Sequence, residues 1–316
     1  MTSAPILQPT DHTIARAAEA IRSGLLVAFP TETVYGLGAD ATNETAVARI
    51  FKTKGRPRFN PLISHVADVE AAFQIGVFSR SARVVAESFW PGPITLVVER
   101  AAKCPVAWLT SAGLERIALR VPAHPLAHEL LQRAGRPVGA PSANLSGRVS
   151  PTRAGHVASE LGDAVAMILD GGACEIGLES TVLDLSGDTP LLLRPGAVTR
   201  EDLEEVTGLL STRTAEATLV SPGMLASHYA PNCPVRLEAE TPHPGEAYLA
   251  FGGPKQGDIS CSLSEAGDLA EAAANLFHLL RTLDQPGVKA IAVAPIPSHG
   301  LGVAINDRLM RAAARR

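Results

Sequence analysis

The chain has 316 residues, 46% of them hydrophobic and 19% charged, and a formal net charge of -4. That length exceeds the usual single core and predicts one large domain with a smaller one, and the composition excludes disordered and fibrous classes. The negative balance excludes a surface devoted to coating nucleic acid, though it permits a local basic pocket.

Cys104, Cys174, Cys233 and Cys261 form no C-x-x-C pair, which argues against a zinc ribbon or disulfide framework and for reduced thiols. The opening residues lack a basic segment followed by an apolar one, and nowhere is there an apolar run long enough to span a bilayer. A soluble, cytoplasmic protein without membrane association is expected.

In chain order, Thr10 or Asp11 caps a helix that carries Ile14, Ala17, Ala18 and Ile21 on one face and ends near Gly24. Leu25 to Phe29 reads as a buried strand stopped by Pro30. Thr31, Glu32, Thr33 and Tyr35 then crowd the strand end before Gly36 and Gly38. Asn43 caps a second helix with Val47, Ile50 and Phe51 inward, which runs into a basic loop from Lys54 to Pro61. Leu62 to Val66 is a short strand, Asp68 opens a helix and Ser79 to Phe89 forms another. Trp90 to Pro93 forces a turn into the strand Ile94 to Glu99.

Further strands are expected at Ile117 to Val121, Val138 to Ala140, Val165 to Leu169, Val182 to Leu185 and Leu191 to Leu193. Helices are expected at Pro125 to Arg133 and Thr152 to Leu161, with Ser150-Pro151 as the start of the latter, and from Thr199 with Asp202. Such an irregular alternation predicts an α/β domain with a twisted mixed sheet over residues 1–210. Residues 211–235, with Pro222, Gly223, Pro231 and Pro234, read as a linker. Residues 236–316 read as a small α/β domain of βαβ (Rossmann-like) type. It has strands at Ala247 to Phe251 and Ala290 to Ala294, a helix with Leu269, Ala272, Ala273, Leu276, Leu280 and Leu283, and a last helix from Gly302.

Chemistry concentrates in a few places. Lys54, Arg56 and Arg58, interleaved with Gly55 and Pro57, suit a polyanion such as a nucleotide triphosphate. The plainer alternative is a solvated loop at a helix C-terminus; the neighbouring hydroxyls, Asn60 and His65 favour a pocket. Gly36-x-Gly38-x-x-Ala41 formally matches a dinucleotide fingerprint, but the strand ends too early, and basic residues stand where a ribose-binding acid belongs. No P-loop is present. Ala140 to Gly147 (APSANLSG) is either an ordinary turn or a ledge of N–H and hydroxyl groups for anionic oxygens. Arg120, on an apolar strand, requires a structural carboxylate or a substrate carboxylate. Glu179-Ser180-Thr181 and Arg194-Pro195-Gly196 interrupt strand ends in the same way.

PTETVYGLGA, K-x-R-P…N-P-L, LRVP, APSANLSG, ESTV and LRPG, in that order, resemble the YrdC-like domain of the L-threonylcarbamoyladenylate synthase family. The linker SPGMLASHYAP and the trailing domain resemble the long form of that family, so the likeness covers nearly the whole chain. The resemblance implies a nucleotidyltransferase that makes L-threonylcarbamoyl-AMP and pyrophosphate from L-threonine, bicarbonate or CO2, and ATP. Its product would feed threonylcarbamoyladenosine modification of tRNA, with tRNA or a downstream transferase as macromolecular partner.

Carried over residue by residue, the resemblance sets Thr33, His65, Arg120, Ala140 and Ser180 around threonine, with Arg120 on its carboxylate. It sets Lys54, Arg56, Asn60, Ser142, Asn144, Ser150 and Arg194 around ATP, together with Arg116, which stands where the family usually has a small hydroxyl. Lys54, Arg56 and Arg194 would neutralise charge during transfer. Mg2+ would arrive with ATP, since no dedicated acidic cluster is legible. The aromatic, His-bearing linker suggests a lid from Ser221 to Pro231, with His228 and Tyr229 reaching the nucleotide. A rival reading makes the basic concavity a structured-RNA surface, but it leaves Arg120, Ser180 and the linker unexplained.

Overall fold

The structure is a computed structural model and describes residues 4–212, 228–253 and 257–314. Its larger sheet runs, edge to edge, through Ile6–Leu7, Met167–Leu169, Val27–Phe29, Gly36–Asp40, Val138–Gly139, Ile63–His65, Arg116–Arg120, Ile94–Arg100, Thr181–Asp184, Leu191–Arg194 and Ser211–Thr212. Gly76–Val77 pairs with Ile94–Arg100 off this path. Parallel and antiparallel pairings alternate irregularly, as expected of a twisted mixed sheet.

Helices cover the sheet because their apolar faces have nowhere else to go. Asp11–Arg22 starts at a Thr10–Thr13 capping box and packs Ile14, Ala17 and Ile21 against Leu126, Leu130 and Leu131 of Pro125–Ala134. Arg80–Phe89, capped by Ser79, turns Ala82, Val85 and Ala86 onto Leu96, Ile117 and Leu119.

The smaller sheet has four parallel strands in the order Val235–Arg236, Ile291–Val293, Ala247–Ala250, Ser260–Ser262. Helices Leu269–Leu283 and Leu301–Ala313 bury Leu276, Phe277, Leu280, Ile305 and Leu309 on it, each apolar side chain stabilising by about 1.5–3 kcal/mol. The same core takes in Val34, Val149 and Leu178 from the larger part, so the two sheets share one apolar seam. Gly177 makes the seam close: its φ is 72°, and a Cβ there would lie 2.6 Å from the Ala273 carbonyl oxygen.

Several local expectations are corrected. Gly36–Asp40, to which the sequence assigned no element, is a strand with both faces buried. The third helix of the site region begins at Ala154, with Arg153 at its N-cap, so Ser150-Pro151 precedes it. The small sheet also gains Val235–Arg236 and Ser260–Ser262, short strands whose polar residues hide the usual alternation.

Candidate functional site

Register places the first half of the site. Ile63–His65 and Arg116–Arg120 are parallel neighbours in which His65 stands opposite Arg120 at the strand ends. The turn after Val27–Phe29 brings Thr33 and Glu32 to the same point. Arg120 donates through Nη2 to Glu32 Oε1 at 2.6 Å, through Nη1 to Thr33 Oγ1 at 2.9 Å and through Nε to the Gly92 carbonyl at 3.3 Å. A guanidinium has five N–H donors, so two remain for a ligand. Burial opposes the Glu32 carboxylate, but the adjacent Arg120 wins and holds its pKa below the usual range. His65 is driven to about 3 by burial and by Arg120's charge, so it is neutral, and its Nδ1 has no partner among the described residues.

The second half is cationic. Helix Glu44–Lys54, capped by Asn43, ends on Gly55 at φ 58°, which turns Lys54 and Arg56 inward. Lys54 Nζ donates to the carbonyls of Ser142, at 2.5 Å, and Asn144. Arg56 donates to the carbonyls of Asn60 and Pro61 at 3.1 and 2.8 Å, and to Asn60 Oδ1 at 2.6 Å. All of these acceptors are neutral. Burial, with Arg56 beside it, pushes Lys54 well below its usual value, and burial with Arg194's charge brings Arg56 to about 10. Arg194 donates to the Ser180 carbonyl at 3.1 and 2.8 Å and to its hydroxyl at 3.2 Å, while that hydroxyl sits 2.7 Å from Thr95 Oγ1. Gly196 permits this: a Cβ there would fall 2.3 Å from the Thr181 nitrogen.

His228 and Tyr229 close the arrangement. The His228 N–H donates to the Arg311 carbonyl and the Ala230 N–H to that of Gly147, which ties the segment to both parts of the molecule. Tyr229 is fully buried with φ 61°, a left-handed backbone that a side chain rarely accepts outside functional sites. Its ring stacks on Phe277 at 5.4 Å. Burial and the cations Arg56, Lys54, Arg194 and Arg308 keep His228 neutral, its pKa well below 6.5.

Thr33, Arg56, His65, Arg120, Ala140, Ser142, Ser180, Arg194, His228 and Tyr229 thus line one cavity of about 50 Å³. Lys54, Asn60 and Asn144 stand behind its wall, and Ser150 donates to Glu179, which lines it. Arg116 is not brought in. It begins the strand that Arg120 ends, four residues or roughly 13 Å away at the rise of a strand, and pairs with Asp184 at 3.1 Å. Of the expected lid from Ser221 to Pro231, residues 221–227 lie outside the described residues, as do residues 213–220 before it.

Lys54 and Arg56 are only 2% and 7% exposed, so they offer no surface to the backbone of a structured RNA; Arg58 alone of the three is exposed. Among the described residues no group of three or more His, Cys, Asp or Glu could hold a metal ion, and no helix is long and apolar enough to cross a membrane. Sequence reasoning missed Glu32 as the partner of Arg120, and it missed Arg308. The signal for Arg308 was present: an arginine in step with Ala304, Ile305, Leu309 and Ala312 on an apolar helix face.

Residues 19–196 match the family model described as telomere recombination, for Sua5, YciO and YrdC. Residues 198–314 match the one described as threonylcarbamoyl-AMP synthase, C-terminal domain. The threonylcarbamoyl-AMP synthase of Bacillus subtilis is 41% identical, over 98% of this chain and 95% of that protein. The Pyrococcus abyssi protein of the same name is 42% identical over 95% and 94%. The crystal structure of P. abyssi Sua5 complexed with L-threonine superposes with a TM-score of 0.90 at 38% identity, covering 99% of this chain and 98% of that one.

Proposed function

This chain belongs to the Sua5, YciO and YrdC family in the form that carries the synthase C-terminal domain, and we propose that it makes L-threonylcarbamoyl-AMP. The substrates are L-threonine, bicarbonate or CO2, and ATP. Threonine's ammonium loses one proton to solvent, the amine attacks the CO2 carbon as a C=O π bond opens onto oxygen, and a second proton leaves the nitrogen for solvent to give a carbamate. A carbamate oxygen then attacks the α-phosphorus; the bond from that phosphorus to the bridging oxygen breaks, and pyrophosphate leaves with the electron pair.

The residues suit that division of labour. Arg120 has two N–H groups left for threonine's carboxylate, and Thr33, His65 and Ser180 supply polar atoms beside it. Lys54 has used two of its three donors on the loop from Ser142 to Asn144 and adds positive charge behind the cavity wall, while Arg56 and Arg194, which line the cavity, would face charge developing on the phosphates. The single observation that carries the reading is that Lys54 and Arg56 are buried against neutral oxygens alone, so an anion in the cavity relieves a standing desolvation penalty. Glu179, the carboxylate at the cavity wall, is already engaged by Ser150 and Arg308, so the donors here fit a metal carried on phosphate oxygens and not one held by the chain. Mg2+ arriving with ATP would supply further charge neutralisation.

A cavity of about 50 Å³ is far below the roughly 300–1,000 Å³ of a ligand site, so His228 and Tyr229 have to give way as ATP enters. Once closed, they exclude water from the carbamate and the adenylate. The mixed anhydride formed is an activated threonylcarbamoyl donor, suited to a downstream transferase that modifies tRNA in the cytoplasm. Pyrophosphate release by the purified chain tests the reading: it should require ATP, threonine and bicarbonate together. Release without threonine, or none with all three, overturns it.

A further inference from the structure

Arg308 lies on helix Leu301–Ala313 of the smaller part, fully buried, yet only Asp307 among its partners is local. Its Nε donates to Glu179 Oε2 at 2.8 Å, its Nη2 to the Pro195 carbonyl at 3.0 Å, and its guanidinium lies 5.3 Å from the centre of the Tyr229 ring. Each of these three partners lines the cavity or adjoins a residue that does. Docking alone does not require this pair, because a buried ion pair exchanged as a whole for apolar residues is often neutral or stabilising. The arginine therefore calls for another account.

The chemistry of Glu179 supplies one. It is the one carboxylate among the described residues lining a cavity otherwise furnished with cations, and it stands within the reach of a triphosphate it would repel. Its two oxygens are both taken, Oε2 by Arg308 and Oε1 by the Ser150 hydroxyl. Without Arg308 that carboxylate would be free to turn onto Arg194 or Arg56 and withdraw their charge from the nucleotide.

Resting on the assignment of ATP to this pocket, we propose that Arg308 is a positioning residue of the nucleotide side. It holds Glu179 away from the phosphate-facing cations and fixes the Pro195 turn next to Arg194. The smaller part of the molecule thereby completes a site built on the larger sheet.

The test compares the full chain with Arg308→Met, Arg308→Lys, Glu179→Gln and the double variant Arg308→Met/Glu179→Gln, reading KM for ATP and, by calorimetry without ATP, Kd for threonine. Arg308→Met should raise KM for ATP tenfold or more and leave threonine affinity within twofold. Arg308→Lys, which keeps the charge but cannot fork onto both Glu179 and Pro195, should fall between. The double variant should recover most of the loss in KM for ATP, since the misplaced carboxylate is gone, while threonine affinity stays within twofold throughout, a split that a docking role does not produce. His278→Ala, which removes a stacked contact with His156 across the same seam, should leave KM for ATP unchanged. Equal loss of both ligands, a double variant worse than Arg308→Met, or an unchanged KM in Arg308→Met overturns the proposal. Wild-type chain that turns over no ATP with threonine and bicarbonate would instead remove the assignment of function beneath it.

Discussion

Arg120 and Glu32 form an ion pair at 2.6 Å with both side chains more than nine-tenths buried. The guanidinium thus already has a carboxylate partner, and the threonine carboxylate proposed to bind here would join an existing pair instead of creating one.

Arg120→Lys keeps the charge and loses the planar fork. Threonine affinity should fall by roughly ten- to a hundredfold, with ATP affinity unchanged. Calorimetry with each ligand alone separates the outcomes; equal loss of both would mean that Arg120 only braces the fold. Glu32→Ala, by stranding Arg120, should cost about 3–5 kcal/mol, and saturating threonine should raise the Tm of this variant more than that of the wild type.

Lys54→Ala and Arg56→Ala should lower turnover by about a hundredfold or more, the usual loss when one donor to transition-state charge is removed. Threonine binding should stay within twofold. Single-turnover rates beside threonine titrations check this, and lost threonine binding would place both cations on the other half of the pocket.

Tyr229→Ala should open the cavity to water. Its signature is a shift of product from threonylcarbamoyl-AMP toward free AMP and threonine, read by chromatography of quenched reactions. An unchanged product ratio at normal turnover would show that the ring shields nothing.

Acid should destabilise the fold through its buried histidines. The unfolded chain takes up these protons near pH 6.5, whereas His65 and His156 in the folded chain resist them down to about 3 and about 4, in each case chiefly because burial disfavours the charged ring. Stability is therefore complete above about pH 6.5 and drains as pH falls toward 4, by up to about 1.4 kcal/mol per pH unit for His65. Urea midpoints at pH 7.5 and 5 measure the loss, and His65→Asn should flatten the slope.

Elements whose apolar residues follow a helical or strand period were legible in the sequence, down to caps at Asn43, Asp68 and Ser79. Gly36–Asp40 escaped because its glycines carry no side chains to mark a strand and serve to clear space: a Cβ on Gly38 would lie 2.7 Å from the Phe29 ring. The grouping of Thr33, Arg56, His65, Arg120, Ser142, Ser180 and Arg194 around one cavity came from the resemblance of their motifs to the family; by themselves the residues showed only polar groups interrupting their segments. Arg116 breaks its segment too, yet serves only a surface-side pair with Asp184, since sequence shows that a charge is out of place and not which end of a strand faces the site. Glu32 was hidden for the converse reason, and Arg308, though out of place on an apolar helix face, gave no sign of its partners, which are set by tertiary contact alone.

The pairing of Glu179 with Arg308 spans 129 positions of chain. During synthesis at roughly 5–20 residues per second, the larger sheet has its strands and its cations several seconds before the arginine that disciplines Glu179 emerges. On the proposal above, a nascent or truncated chain would hold its phosphate-facing cations with Glu179 tied by Ser150 alone. If Arg308 positions Glu179 as proposed, tight use of ATP would wait on the arrival of the last helix.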